Sequence, residues 1–220
     1  MSLKLTNLRK SYLQGAQKLE ILRGINSEIQ SGEIVAIVGQ SGSGKSTLLT
    51  LLAGLDHADD GKIEVSNIDI TNMNQKQLTE FRGKKIGIVF QQFHLLGHLK
   101  AIENVALPLE ISKDKFALEK AKKMLQLVGL GDRTDHFPSQ LSGGECQRVA
   151  IARALVTEPE ILLADEPNGN LDVKTGEQVM NLFFEIVKKN KITTILVTHS
   201  PELAQKCDRQ LRLQDGLLWS

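Results

Sequence analysis

The sequence predicts an α/β fold with a mainly parallel sheet, an N-terminal antiparallel β subdomain and an inserted α-helical subdomain. Three observations carry that expectation. Four short apolar runs, at 34–38, 86–90, 161–164 and 193–198, are separated by segments of helical periodicity, and continuous apolar strands of this length are buried on both faces of a helix-covered sheet. The first run feeds a glycine-rich loop that opens into Leu48-Leu49-Thr50-Leu51-Leu52, a strand-loop-helix unit. Residues 1–33 carry alternating strand patterns, whereas 92–157 read as helix throughout. One domain is therefore expected over 1–220, with 1–91 and 158–220 as β-subdomain and core and 92–157 as the helical subdomain.

Taken in order, Leu3 to Leu13 and Leu19 to Gln30 read as antiparallel strands punctuated by Gly15 and Gly24. Tyr12, the only tyrosine, is suited to stack on a base, or equally to be a half-buried strand aromatic. Next comes Gly39-Gln40-Ser41-Gly42-Ser43-Gly44-Lys45-Ser46-Thr47, whose G-x-x-x-x-G-K-S spacing is the P-loop pattern. Its glycines let backbone N–H groups curl around phosphate oxygens at a helix N-terminus. Lys45 is expected to reach the outer phosphates and Ser46 to ligate Mg²⁺. A plain turn would not need Lys and Ser at the closing positions, so the core is expected to be that of a P-loop NTPase.

Asp59-Asp60-Gly61 turns the chain into the strand at 62–65, and Gln75 to Arg82 reads as a helix ended by Gly83. Helices are expected over 102–109, interrupted by Pro108, and over 114–128, whose Lys115, Lys120, Lys122 and Lys123 read as a solvated face. Leu141-Ser142-Gly143-Gly144-Glu145 leads into a strong helix, with Ser142 as N-cap and exposed amides at the two glycines. It forms a second anion-binding helix start, with Ser142 available to a phosphate. Thr175 to Lys189 is amphipathic, Ser200-Pro201 starts a last helix, and Gln214-Asp215-Gly216 joins a terminal hairpin that includes Trp219, expected to pack.

In a parallel sheet, ligands sit beyond the strand C-termini. Four such ends carry the P-loop, Gln91, the Asp165-Glu166 pair and His199. Phosphoryl transfer to water needs neutralised phosphates and an oriented nucleophile. Ser46 and Asp165, with Gln91 as third contributor, suit Mg²⁺. Glu166 is left as the base that polarises water, and His199 is placed to bond the γ-phosphate or to position that water.

Composition narrows the class. Lys plus Arg number 27 and Asp plus Glu 26, so the formal charge of +1 gives no global attraction to nucleic acid, and no nucleic-acid partner is expected. Cys146 and Cys207 fit neither a zinc site nor a disulfide framework. The N-terminus lacks the apolar core of a signal peptide and no segment approaches a bilayer span, so a cytoplasmic chain is expected.

With these motifs and Asn170-Leu171-Asp172 in order, the chain resembles the nucleotide-binding subunit of ABC transporters over essentially its whole length. The stretches Val89 to Phe93, Glu103 to Leu109 and Gly169 to Asp172 resemble the group that holds LolD, MacB, FtsE and YbbA, and Lys206 to Leu213 resembles the YbbA branch most. Asn168 and Cys146 depart from residues common in that group. The resemblance implies an ABC ATPase that uses ATP and Mg²⁺. It also implies an ATP-dependent head-to-tail homodimer in which Ser142, Gly143, Gly144 and Glu145 of one copy complete the ATP site of the other. By the same resemblance Tyr12 is the base-stacking aromatic and Asp172 faces the opposite site. The resemblance further implies that the helical segment after Gln91 grips an integral membrane permease at the inner face of the cytoplasmic membrane, and that the cargo class is lipids, lipoproteins or hydrophobic compounds. A rival is a non-transport or regulatory ABC ATPase of the cell-division type. A GTPase would carry an N-K-x-D motif, which Asn168 to Asp172 lacks.

Overall fold

The computed structural model describes residues 2–15 and 17–219. The chain divides into two compact units, Met1–Arg82 with Lys191–Ser220, and Gly83–Asn190.

The first unit opens with two long antiparallel strands, β1 (Leu3–Gln14) and β2 (Gln17–Ile29), paired from Leu3 with Ile29 to Gln14 with Gln17. Leu3, Leu5, Leu8, Leu22, Ile25 and Ile29 are buried, the inward face of the alternation read from the sequence. The strand β3 (Ile34–Val38) follows and leads through the glycine-rich loop to α1 (Lys45–Leu52). Next, β4 (Asp60–Val65) and β5 (Ile68–Asp69) complete an antiparallel sheet of order β2-β1-β4-β5. The two-residue β5 was not expected. It hangs on a turn in which Ser66 and Asn67 both have positive φ, 49° and 64°, the geometry of a tight hairpin.

Helix α2 (Gln75–Lys85) runs through Gly83 instead of stopping there, because a helical glycine costs only about 1 kcal/mol and the next strand starts directly at Ile86. The second unit continues with β6 (Ile86–Val89), α3 (Ala101–Ile111), α4 (Ala117–Leu127), α5 (Gly143–Leu155), β7 (Ile161–Asp165) and α6 (Val173–Asn190). Pro108 lies inside α3 and does not end it, since the face formed by Ala101, Val105, Ala106 and Leu109 stays buried through that turn. Asp114 stands before α4, where its carboxylate accepts the Phe116 amide at 2.8 Å. Two 3₁₀ turns, Gly131–Arg133 and Pro138–Gln140, lie between α4 and α5. Strands β6 and β7 pair in parallel, and α5 packs on β6.

Back in the first unit come β8 (Thr193–Val197), α7 (Pro201–Gln205), β9 (Arg209–Gln214) and β10 (Leu217–Trp219). Here β3 is flanked in parallel by β8 and β9, and β10 adds antiparallel to β9 across Asp215 and Gly216, both with positive φ. Trp219 is 58% exposed and does not pack as expected. An antiparallel sheet, a mixed sheet rich in parallel pairs and helices between the strands give the α/β class read from the sequence.

Candidate functional site

In the first unit β3 and β8 are parallel neighbours with Ile37 opposite Val197, so the glycine-rich loop and His199 leave from the same sheet edge. Gly44 is the N-cap of α1 with φ 99°, and a Cβ there would stand 2.8 Å from Ile21 Cγ2. Only glycine satisfies both the backbone and the packing. No side chain caps α1 and its first turn has no acidic residue, so its leading N–H groups are left to an anion. Lys45 is buried, and its ammonium donates to the carbonyls of Gly39 at 2.9 Å and Gln40 at 2.8 Å. Two neutral carbonyls take two of its three protons without cancelling its charge. Ser43 Oγ is buried within the loop with no hydrogen-bond partner among the described residues, a further group suited to a phosphate oxygen. Ser46 is exposed at the second position of α1.

Along the flank of the loop runs a cavity of about 330 Å³, bounded by Gln40, Ser41, Ser43, Ile21, Arg23 and Arg212 among others. Tyr12 is 41% exposed on β1, with its hydroxyl donated to Asp56 Oδ2 at 2.9 Å. His199 stands exposed just after β8, on a turn fixed by the Ser200 amide donating to Thr198 Oγ1 at 3.1 Å.

In the second unit Val89 of β6 faces Ala164 of β7, so Gln91 and the Asp165-Glu166 pair also leave from one edge. Glu166 has φ 44° and its carbonyl accepts the Gly169 amide at 2.9 Å. A glutamate in the left-handed region is strained, and such residues persist where the turn around them is fixed. That turn reaches Gln91: Asn170 Nδ2 donates to the Gln91 carbonyl at 3.1 Å, and a Cβ on Gly169 would lie 2.7 Å from Gln91 Nε2. Arg153 on α5 donates to the carbonyls of Phe93 at 2.9 Å and His94 at 2.7 Å, which ties down the segment after Gln91.

The second helix start is a full capping box. Ser142 Oγ accepts the Glu145 amide at 3.3 Å, while the Glu145 carboxylate takes the Ser142 amide at 2.8 Å and hydroxyl at 2.9 Å. Ser142, read from the sequence as available to a phosphate, thus has its hydroxyl proton directed to Glu145. These bonds to Ser142 hold the Glu145 carboxyl below its ordinary range, although partial burial opposes them, and Arg133 adds an ion pair at 3.3 Å. Gly144 approaches α6 so closely that a Cβ would sit 2.4 Å from Thr175 Cγ2. Asp172 caps α6 by accepting the Thr175 amide at 3.1 Å, and the Thr175 bonds lower its carboxyl pKa.

A family model for ABC transporters matches residues 22–169. The chain belongs to the ABC transporter family. Relatives within this family include the lipoprotein-releasing system ATP-binding protein LolD of Alcanivorax borkumensis, 48% identical over 98% of this chain and 96% of that protein. The uncharacterized ABC transporter ATP-binding protein YbbA of Escherichia coli is 46% identical over 96% of this chain and 94% of that protein. The macrolide export ATP-binding/permease protein MacB of Rhodopirellula baltica is 46% identical, but the chain spans only 32% of its length. Among solved structures, the ABC cassette MJ0796, described as a dimer in a post-hydrolysis state with ADP and Pi, has a TM-score of 0.90 at 40% identity, with 99% of this chain and 97% of that chain covered. The chain is thus an ABC ATP-binding subunit of the LolD, MacB and YbbA group and an ATPase of that family.

The ABC site residues named from the sequence therefore fall into clusters. The P-loop, Tyr12 and His199 belong to the first unit. Gln91, Asp165, Glu166, Asp172 and the Ser142 to Glu145 start belong to the second. Asp56, Arg133 and Arg153 were missed. Of these only Asp56 had a readable signal, a carboxylate just past the helix that the P-loop opens.

Oxygen donors of the kind Mg²⁺ takes are offered by the Ser46 hydroxyl in the first unit and by the Asp165 carboxylate and the Gln91 side-chain amide in the second. Among the described residues no group of three or more His, Cys, Asp or Glu could hold a metal ion by itself. No helix of the described residues is long and apolar enough to cross a membrane.

Proposed function

We propose that this chain is the ATP-hydrolysing engine of a membrane transporter, that two copies close head to tail around two ATP molecules, and that hydrolysis resets them. The carrying observation is the presence of two phosphate-suited helix starts in one chain, at Lys45 with no competing cap and at Ser142 to Gly144. A single triphosphate needs only one P-loop, so the second start is assigned to the ATP of the other copy. The dimeric state of the related cassette supports this arrangement.

Lys45 and the loop amides hold the outer phosphates, and Tyr12 offers its ring to the adenine. Ser46, Asp165 and Gln91 would hold Mg²⁺, which when bound would supply charge neutralisation on the phosphates. Glu166 orients and takes a proton from the attacking water, while His199 hydrogen-bonds the γ-phosphate. The Ser142 hydroxyl turns from Glu145 to the partner copy's phosphate, and Asp172 lies toward the opposite site. A separate integral membrane permease is the mechanical partner, which places the chain at the inner face of the cytoplasmic membrane. The names of the LolD and MacB relatives support a lipoprotein, lipid or hydrophobic cargo.

Glu166→Gln is expected to bind ATP, to lose turnover by at least about a hundredfold as removal of a general base does, and to elute as a dimer with ATP and a monomer without it. Monomeric elution in both conditions, with ATP binding intact, would refute the sandwich.

A further inference from the structure

Tyr12 stands in a network with Lys10 and Asp56, two residues that the ATPase reading does not use. Lys10 is a buried lysine, 7% exposed, and its ammonium reaches Asp56 Oδ2 at 2.8 Å, the His57 carbonyl at 2.7 Å and Asp59 Oδ1 at 4.0 Å. The same ammonium stands 5.0 Å from the centre of the Tyr12 ring, since residues two apart on β1 share a face. Asp56 Oδ2 also accepts the Tyr12 hydroxyl, while its Oδ1 accepts the His57 amide at 2.7 Å. Every oxygen of that carboxylate is thus engaged and its direction is set. Asp56 lies four residues beyond α1, the helix whose N-terminus is the phosphate loop.

A tyrosine ring on a strand is free to swing about its two side-chain torsions, and stacking requires one plane. Here the hydroxyl is tethered and a buried cation stands over the ring, so both torsions are restrained while the side chain stays 41% exposed. We propose that Asp56 is a positioning residue for base recognition. It fixes the plane of the Tyr12 ring relative to the phosphate loop, with Lys10 as the backing charge. The proposal rests on the reading of Tyr12 as the adenine platform. It assigns to Asp56 an effect on the base but none on the phosphates.

The test compares ATP with inorganic tripolyphosphate, which has no base, in the same magnesium buffer on the full chain. Tyr12→Ala comes first: it should weaken ATP binding about tenfold or more, the scale of a lost base stack, and leave tripolyphosphate unchanged. If it leaves ATP unchanged, the platform reading itself fails. Given that loss, Asp56→Asn and Tyr12→Phe should each weaken ATP about three- to tenfold with tripolyphosphate unchanged. The double variant Tyr12→Ala/Asp56→Asn should be no weaker than Tyr12→Ala alone, as expected of two residues acting as one unit. A spectroscopic arm uses Tyr12 as the only tyrosine. Burial, followed by the Asp56 hydrogen bond and charge, raises its phenol pKa, so Asp56→Asn should lower the midpoint of phenolate absorbance. Equal loss of both ligands in Asp56→Asn, additivity with Tyr12→Ala, or wild-type ATP affinity in Tyr12→Phe would each overturn the role of Asp56.

Discussion

Replacing Gly144 by alanine places a methyl 2.4 Å from Thr175 Cγ2 on α6. Carbon atoms in ordinary contact are about 3.5 Å or more apart, so the overlap is about 1 Å and either α5 or the Thr175 side chain must move. Thr175 cannot turn away freely. It is β-branched, its amide is bound to Asp172 Oδ1, and its side chain also bonds the Asp172 carboxylate. Overpacking of this kind costs roughly 1–3 kcal/mol, and we expect about 2 kcal/mol for Gly144→Ala. Thr175→Ser removes the clashing methyl and keeps the hydroxyl, at a cost of about 0.8 kcal/mol or less for one lost CH₃. The double variant should recover most of the Gly144→Ala loss, with a favourable coupling of about 1–2 kcal/mol. Urea denaturation midpoints of the four proteins at constant m-value provide the measurement. Additive losses in the double variant would show that the α5–α6 approach is not what requires glycine there.

Two further outcomes are expected. Gly83→Ala should raise stability by about 1 kcal/mol in the same denaturation assay, because Gly83 is helical, a Cβ there meets nothing within 4 Å, and alanine is the better helix former. Glu145 contributes to acid sensitivity. Its folded carboxyl pKa is depressed, so its stabilisation is present above the ordinary carboxylate pKa and is lost as pH falls through the depressed value. Glu145→Gln should therefore narrow its stability deficit toward wild type as pH is lowered, and a deficit constant with pH would contradict the assigned cause.

Residue order alone determined the strand ends and the groups they carry. The run Ile34 to Val38 before Gly39 to Thr47, and Ile161 to Ala164 before Asp165, are local patterns: an apolar strand must be buried, and the polar residues next in the chain must emerge at an edge. Ser142 as a cap was legible for the same reason, since a helix start and its capping side chain lie within four residues. The element ends were less legible. Gly83 and Pro108 signal breaks by intrinsic preference, and the burial of neighbouring helix faces overrode costs of a few kcal/mol.

Only the tertiary structure decided the partners that lie far apart in the chain. Asp56 tethers a tyrosine 44 residues away, Arg153 holds carbonyls 59 and 60 residues away, and Asn170 meets Gln91 across 79 residues. A sequence displays which groups can donate, accept or carry charge. Which of them meet depends on strand register and helix packing, and these are fixed by the burial of many residues at once.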